Sequence, residues 1–365
     1  MIRLEQVTKS YGDTIAVNEL FLEVDEGEVC VLIGPSGCGK TTTLRMINRL
    51  IEPTAGRIFI NGKDTGKIRP ERLRRSIGYA IQSVGLFPHM TVAANIAVVP
   101  ELLHWTKDRV AKRIEELLRL VGLNPTEYIP KYPNQLSGGE AQRIGVARAL
   151  AADPPILLMD EPFGAVDPLT RERLQAQFVR IQQELKKTII LVTHDLDEAI
   201  RLADRIAIME SGKLVQYDTP ETILSKPANR FVYDFVGTDR ALKRLSRIGI
   251  KDFIKPSPVV KLNTSMTEVK TAIGSHRSIW VVDEEDKLMG WINRTSLSAI
   301  TSIREGLVTQ NVDKIAVVNS ATLREALSRM LGQGCKSIPV IDESGRLIGE
   351  VTLGDVEAAT VEAEE

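Results

Sequence analysis

Val29-Cys30-Val31-Leu32-Ile33-Gly34-Pro35-Ser36-Gly37-Cys38-Gly39-Lys40-Thr41-Thr42 is the stretch from which the fold is read. Its opening apolar run has the length and β-branched content of a strand buried on both faces. A glycine-rich turn follows, and residues 40–50 then take on helical character. Strand, glycine loop and helix in that order are the context in which the pattern GxxxxGK[ST] acquires meaning, and residues 34–41 match it at every fixed position. Glycines let consecutive backbone N–H groups turn inward around phosphate oxygens, while the N-terminus of the next helix adds positive potential. In this reading Gly34, Pro35, Ser36, Gly37, Cys38 and Gly39 form the cradle with Thr42 beside it. Lys40 reaches the β- and γ-phosphates, and the Thr41 hydroxyl is a ligand for Mg²⁺.

Working outward, residues 2–33 read as short strands broken at Tyr11-Gly12-Asp13 and Asp25-Glu26-Gly27. From Pro88 to about residue 136 the pattern becomes helical, with apolar positions three and four apart at Val110, Ile114, Leu117, Leu118 and Val121. This is expected to be an inserted helical subdomain. Beyond it, strands at 156–159, 188–192 and 205–209 alternate with helices at 168–186 and 196–203, which predicts a parallel sheet covered by helices. A basic helix over 240–247 and the run Lys255-Pro256-Ser257-Pro258 mark residues 237–255 as a linker.

The strand at 156–159 ends in Asp160-Glu161. A carboxylate at the carboxyl end of a strand lies in the crevice where α/β sheets bind ligands, so Asp160 suits Mg²⁺ coordination. Glu161, one residue on, suits a general base acting on water. His194 follows the apolar strand at 188–192 and precedes Asp195, which sets it apart from His89, His104 and His276.

Charge is nearly balanced, 47 Lys+Arg against 48 Asp+Glu, which disfavours a dedicated nucleic-acid binder. Three cysteines, Cys30, Cys38 and Cys335, form neither a metal-binding pair nor a disulfide framework and suit a reducing compartment. The N-terminus shows no secretory signal, and no apolar run has the length of a membrane-spanning helix. If the protein works at a membrane, another chain is expected to supply the span.

The motif that narrows the class is Leu136-Ser137-Gly138-Gly139-Glu140. With it the sequence resembles the ABC ATPase family, whose signature usually reads LSGGQ; Glu140 is the departure. The resemblance implies an α/β fold: a P-loop NTPase ABC cassette over residues 1–236, with a RecA-like core, a helical subdomain at about 88–136 and an antiparallel β subdomain. It implies that Tyr11 stacks on adenine, that Gln82 contacts Mg²⁺ or water, and that Asp167 belongs to the loop Gly164-Ala165-Val166-Asp167 linking two protomers. It makes Lys40, Gln82, Glu161 and His194 the catalytic set, with Thr41, Gln82 and Asp160 on the metal. Ser137, Gly138, Gly139 and Glu140 would serve the γ-phosphate of ATP held by the opposite protomer, so a homodimer of cassettes is expected.

Past the linker, Ser278-Ile279-Trp280-Val281-Val282-Asp283 recurs as Ser337-Ile338-Pro339-Val340-Ile341-Asp342. The repeat resembles a tandem pair of CBS motifs (about 256–305 and 310–360), an α+β module. There Thr352 and Asp355 stand where the family often holds an adenosine ribose, whereas the first copy has Ser296 in place of the acid. A nucleotide site, with adenosine nucleotide or cyclic di-AMP as ligand, an ionic-strength sensor and a dimerisation module all remain open. A cassette followed by tandem CBS motifs resembles the ATPase subunits of quaternary-amine osmoprotectant importers for glycine betaine, carnitine or choline. The resemblance implies integral-membrane permease subunits, an extracytoplasmic substrate-binding protein, and a location on the cytoplasmic face of the membrane. An importer for another small solute is the alternative. A soluble ABC protein acting on nucleic acid or ribosomes is the rival class, and the single cassette and balanced charge speak against it.

Overall fold

The computed structural model describes residues 1–81, 85–164, 167–309 and 312–361. The chain forms two compact units, Met1–Gly237 and Thr238–Glu365.

In the first unit the apolar run of the nucleotide motif is strand β3 (Val29–Ile33), following β1 (Ile2–Tyr11) and β2 (Thr14–Val24). The others are β4 (Ala55–Ile60), β5 (Lys63–Asp64), β6 (Ile77–Ala80), β7 (Ile156–Asp160), β8 (Thr188–Val192), β9 (Arg205–Glu210) and β10 (Lys213–Asp218). Two sheets result, β2-β1-β4-β5 and β10-β9-β3-β8-β7-β6. The first is antiparallel. In the second, β3 lies between parallel neighbours β8 and β9. Its alternate residues therefore feed two cores. Val29, Val31 and Ile33 face the helical layer with Leu157, Met159, Ile189 and Leu191. Cys30 and Leu32 face the antiparallel sheet with Leu158, Ile190, Leu4 and Leu22. An apolar run without alternation is what a strand covered on both sides requires.

The helices of this unit that bear on the site are α1 (Lys40–Ile47), α2 (Pro70–Arg75), α3 (Val92–Leu102), α4 (Lys107–Leu120), α5 (Pro125–Tyr128), α6 (Gly138–Leu150), α7 (Pro168–Leu185) and α8 (Leu196–Leu202). Helices α3, α4 and α5 form the inserted helical segment. The stripe Val110, Ile114, Leu117, Leu118 and Val121 is buried, as 3.6-residue spacing demands of a helix covering a core.

The second unit contains the repeat. Strands β11 (Val259–Lys261), β12 (Ser278–Val282) and β13 (Leu288–Asn293) form one three-stranded sheet; β14 (Val317–Val318), β15 (Ser337–Ile341) and β16 (Leu347–Thr352) form the other. Each sheet has one parallel pair and one antiparallel hairpin. The hairpins slip register at equivalent places, between Val281 and Val282 and between Val340 and Ile341. Their turns bond to each other, Leu288 N to Gly345 O (3.1 Å) and Leu347 N to Asp286 O (3.0 Å).

The stretch 237–255 does not run free as a linker. Leu245 and Ile250 are buried with Ile338, Val340 and Val351. Ile250 N donates to Ala321 O (3.1 Å), and Lys255 and Glu350 exchange backbone hydrogen bonds of 2.9 Å. The basic residues that suggested a solvated connector alternate with Leu245, Ile248, Ile250 and Phe253, whose apolar side chains belong to this core.

Candidate functional site

The loop 34–39 is shaped by close backbone approach. A Cβ at Gly34 would stand 2.1 Å from the Met209 carbonyl oxygen. Gly39, at φ +102°, would meet the Ala16 carbonyl oxygen at 2.4 Å. The loop is thus clamped between the ends of β9 and β2, and only glycine fits these two positions. Gly39 precedes α1 in a left-handed conformation and offers no side-chain cap to that helix. Lys40 is buried; its ammonium donates to the carbonyls of Gly34 (2.7 Å) and Pro35 (2.9 Å) and lies 3.6 Å from Cys38 Sγ. A cation held over the loop by carbonyls is positioned to trade them for phosphate oxygens.

Thr41 Oγ1 donates to Asp160 Oδ1 (3.0 Å), which joins α1 to the end of β7. Burial pushes the Asp160 carboxyl above its ordinary value, against the Thr41 hydrogen bond and nearby Arg45. One residue later the chain turns sharply. Glu161 has φ +47°, uncommon for a residue with a Cβ, while its backbone N–H donates to Val192 O at the end of β8 (2.9 Å). That turn brings the Glu161 carboxylate to His194, with Oε1 3.3 Å from Nδ1. From α6, Gln142 Nε2 donates to the Glu161 carbonyl (3.4 Å). Four sequence-separated segments therefore converge at the carboxyl ends of β3, β7 and β8, where open α/β sheets bind ligands.

Sequence reasoning missed Glu198. It is buried and accepts a hydrogen bond from Thr193 Oγ1 (2.6 Å). Thr193 Oγ1 in turn accepts from Asp195 N (3.0 Å), and Asp195 Oδ1 caps α8 by accepting from Glu198 N (3.2 Å). These bonds tie together the residues on either side of His194 in the chain. Burial pushes the Glu198 carboxyl up to about 7. The available signal was an acid three residues after a capping Asp.

Tyr11, the last residue of β1, is 52% exposed, with Lys9 Nζ 5.1 Å from its ring centroid, so one aromatic face is accessible for stacking. Asp167 caps α7, accepting from Thr170 N (3.0 Å). Gln82, Ala165 and Val166 lie outside the described residues. Ser137 caps α6. Glu140 N donates to its Oγ (3.4 Å), and its own N–H donates to Glu140 Oε2 (2.7 Å). Gly138 and Gly139 form the first turn of that helix. The bonds of Ser137 and Glu140 run to each other, within α6 and to Tyr128, and none reaches the loop 34–39. The structure thus brings together Lys40, Thr41, Asp160, Glu161 and His194, and keeps the hydrogen bonds of the Ser137 loop separate from them.

In the second unit Thr352 and Asp355 cap the helix Leu353–Val361. Asp355 Oδ2 accepts from Thr352 N (2.9 Å) and Thr352 Oγ1 (2.6 Å), while Oδ1 is ion-paired with Lys255. Both carboxylate oxygens are engaged. The first repeat, with Ser296 at the equivalent place, has only a short 3₁₀ turn at Arg294–Ser296. Near Thr352 opens a cleft of about 710 Å³ lined by Arg277, Trp291, Lys336 and Glu350 among others.

The chain matches the ABC transporter family model over residues 17–164 and the CBS domain model over 250–300 and 307–362. It is 49% identical to the carnitine transport ATP-binding protein OpuCA of Listeria monocytogenes over 96% of this chain and 90% of that protein. It is 46% identical to the osmoprotectant import ATP-binding protein OsmV of Salmonella typhimurium (96% and 94% covered). The glycine betaine/carnitine/choline transport ATP-binding protein OpuCA of Bacillus subtilis is also 46% identical, with the same coverage. Among solved structures, the dimeric post-hydrolysis state of the ATP-binding cassette MJ0796 bound to ADP and Pi is similar, at TM-score 0.56 and 33% identity. That similarity covers 60% of this chain and 98% of that one.

Proposed function

Because the chain belongs to the family of ABC-transporter ATP-binding subunits that carry C-terminal tandem CBS domains, we propose that it hydrolyses ATP to drive import of a quaternary-amine solute of the glycine betaine, carnitine or choline type. The substrate class rests on the named activities of its relatives. The chemistry rests on one observation: Glu161, in its left-handed turn, places a carboxylate 3.3 Å from His194 and one residue beyond Asp160, which receives Thr41.

In this reading ATP lies along residues 34–42, its adenine on Tyr11 and its terminal phosphates under Lys40. Thr41 and Asp160 are two oxygen donors at the meeting of α1 and β7, a donor set that suits Mg²⁺, which takes few protein ligands and completes its shell with phosphate and water. The ion, when bound, neutralises charge on the phosphates. Gln82 joins that set by family resemblance. Glu161 accepts a proton from the attacking water, and His194 steadies both that carboxylate and the γ-phosphate. Ser137, Gly138, Gly139 and Glu140, at a helix N-terminus away from the loop, serve the nucleotide of a second cassette, and Asp167 lies toward that partner. ATP closes the pair and hydrolysis reopens it, a two-state cycle that moves permease subunits fed by an extracytoplasmic binding protein. Among the described residues no helix is long and apolar enough to cross a membrane. In this reading the permease subunits hold the chain at the cytoplasmic face, as the transport activities named for its relatives suggest. The CBS unit is a regulator. A nucleotide whose ribose used Asp355 would displace Lys255 from it.

Two measurements test the reading. Vesicles containing the chain, its permease and its binding protein should accumulate labelled betaine, carnitine or choline only with ATP inside; uptake restricted to an unrelated solute would refute the substrate class. Glu161→Gln should bind ATP, trap a closed dimer and lose turnover by about 10²–10⁴-fold. Parental hydrolysis by that variant would remove Glu161 from the role of base.

A further inference from the structure

The signature residues are held from outside their own helix. Tyr128, the last residue of α5, is buried, and its hydroxyl donates to Glu140 Oε1 (2.5 Å). The other carboxylate oxygen, Oε2, accepts from Ser137 N (2.7 Å). The carboxylate thus bridges two helices, one oxygen to each. The Tyr128 ring is itself fixed, with Lys131 Nζ 3.9 Å from its centroid and paired to Glu127 (2.5 Å). The same segment anchors the start of α3, where Val92 N donates to Lys131 O (2.8 Å). An ordinary capping box needs only the capping residue and the residue three positions on, each side chain bonding the other's backbone N–H. Here a tyrosine from the helical segment supplies a second anchor.

We propose that Tyr128 is a positioning residue for hydrolysis: through Glu140 its hydroxyl fixes the loop that presents Ser137 to the nucleotide of the partner cassette. The inference rests on the reading of Ser137 given under the proposed function. The Ser137 hydroxyl oxygen accepts from Glu140 N, and an accepting hydroxyl still has its own hydrogen with which to donate to a phosphate oxygen. The usual glutamine at this position could satisfy Ser137, but its amide N–H₂ would meet Tyr128 as a donor. Glu140 accepts on both sides only as a carboxylate, and its acidity is raised first by the Tyr128 hydrogen bond and then by Ser137. The departure Glu140 and the tyrosine therefore form a matched pair that ties the signature to the helical segment.

Tyr128→Phe in the full-length chain removes one oxygen and keeps the buried ring. A fluorescent ATP analogue should bind the monomer with unchanged affinity, since the loop 34–42 is untouched. Steady-state hydrolysis should fall about 5- to 10-fold, the loss of one charge-assisted hydrogen bond. In the Glu161→Gln background, the ATP concentration that half-closes the dimer should rise by a similar factor. Glu140→Ala should give the same defect, and Tyr128→Phe should add nothing to it, whereas Glu140→Gln should recover part of the turnover. Parental hydrolysis by Tyr128→Phe, or losses that multiply in the double variant, would overturn the proposal. The hydrolysis arm needs no Glu161 variant. Failure of Glu161→Gln to close on ATP would therefore count against the dimer reading, and Tyr128 would still be judged on turnover.

Discussion

Helices α1 and α6 both begin with glycine-rich, phosphate-seeking sequences, yet they begin in opposite ways. At α1 the capping position is Gly39, left-handed and without a side chain, and the first-turn N–H groups are left to whatever enters the loop. At α6 the capping position is Ser137, whose hydroxyl and N–H are both engaged by Glu140, itself anchored on Tyr128. One terminus is shaped to be completed by phosphate. The other is finished beforehand and held rigid. A loop that wraps its own nucleotide gains from open donors, because the ligand orders them on binding. A loop that must meet a nucleotide carried by another chain gains from being ordered in advance, since each residue immobilised at closure subtracts from the affinity that closes the dimer. The glycines divide in the same way: Gly34 and Gly39 are needed for close approach, whereas Gly138 and Gly139 are the first residues of a regular helix.

The harshest way to break the comparison is at the open terminus. Lys40→Ala removes the side-chain cation seated over the loop and should cut hydrolysis by about 10²–10³-fold. Ser137→Ala strikes the closed terminus. It should cost about 1 kcal/mol of stability as a lost cap and reduce turnover by less, roughly 10-fold, with nucleotide binding to the monomer unchanged. Mixing the two variants sharpens the contrast. In a dimer of one Lys40→Ala chain and one Ser137→Ala chain, one composite site keeps both its lysine and its serine. Activity in the mixture should therefore exceed that of either variant alone. A mixture no better than its components would mean that the two termini do not serve the same nucleotide.

How much of this was legible in sequence follows from where each constraint lies. The strand, loop and helix around Lys40 could be read because the chemistry is local: a buried strand, fixed glycines and a lysine within a dozen residues. Asp160, Glu161 and His194 could be read because each follows an apolar strand at its carboxyl end. Tyr128 and Glu198 could not. Tyr128 gains its role from a hydrogen bond between two helices, and Glu198 looks like one more acid in the first turn of α8, a place where acids are common for reasons of dipole alone. The packing of 237–255 is not legible because its charges are dense and its buried residues, Leu245 and Ile250, keep no single period. Likewise nothing local to Asp355 announces that Lys255 will occupy it.

A third helix terminus, that of α8, allows the gentlest test. It is closed like α6, by Asp195 and Thr193 around Glu198, but here the closing acid is deeply buried. Burial, reinforced by the Asp195 charge, outweighs the Thr193 hydrogen bond and the nearby Arg171 and His194, lifting the Glu198 carboxyl to about 7 from about 4.5 in the unfolded chain. Between those values the folded protein holds a proton that the unfolded chain has released. This contribution to stability is therefore complete below the unfolded value and declines as pH rises through 7. Glu198→Gln keeps an acceptor for the Thr193 hydroxyl and abolishes the titration. Its melting temperature should match that of the parent near pH 5 and exceed it by a few degrees at pH 8. Turnover at pH 8 should change less than twofold, because the loop carrying His194 stays capped by Asp195. A melting difference that stays flat across that range would show Glu198 already ionised at pH 5. The terminus of α8 would then be closed by a charge and not by a proton, which would place it with α6, where Glu140 works as a carboxylate.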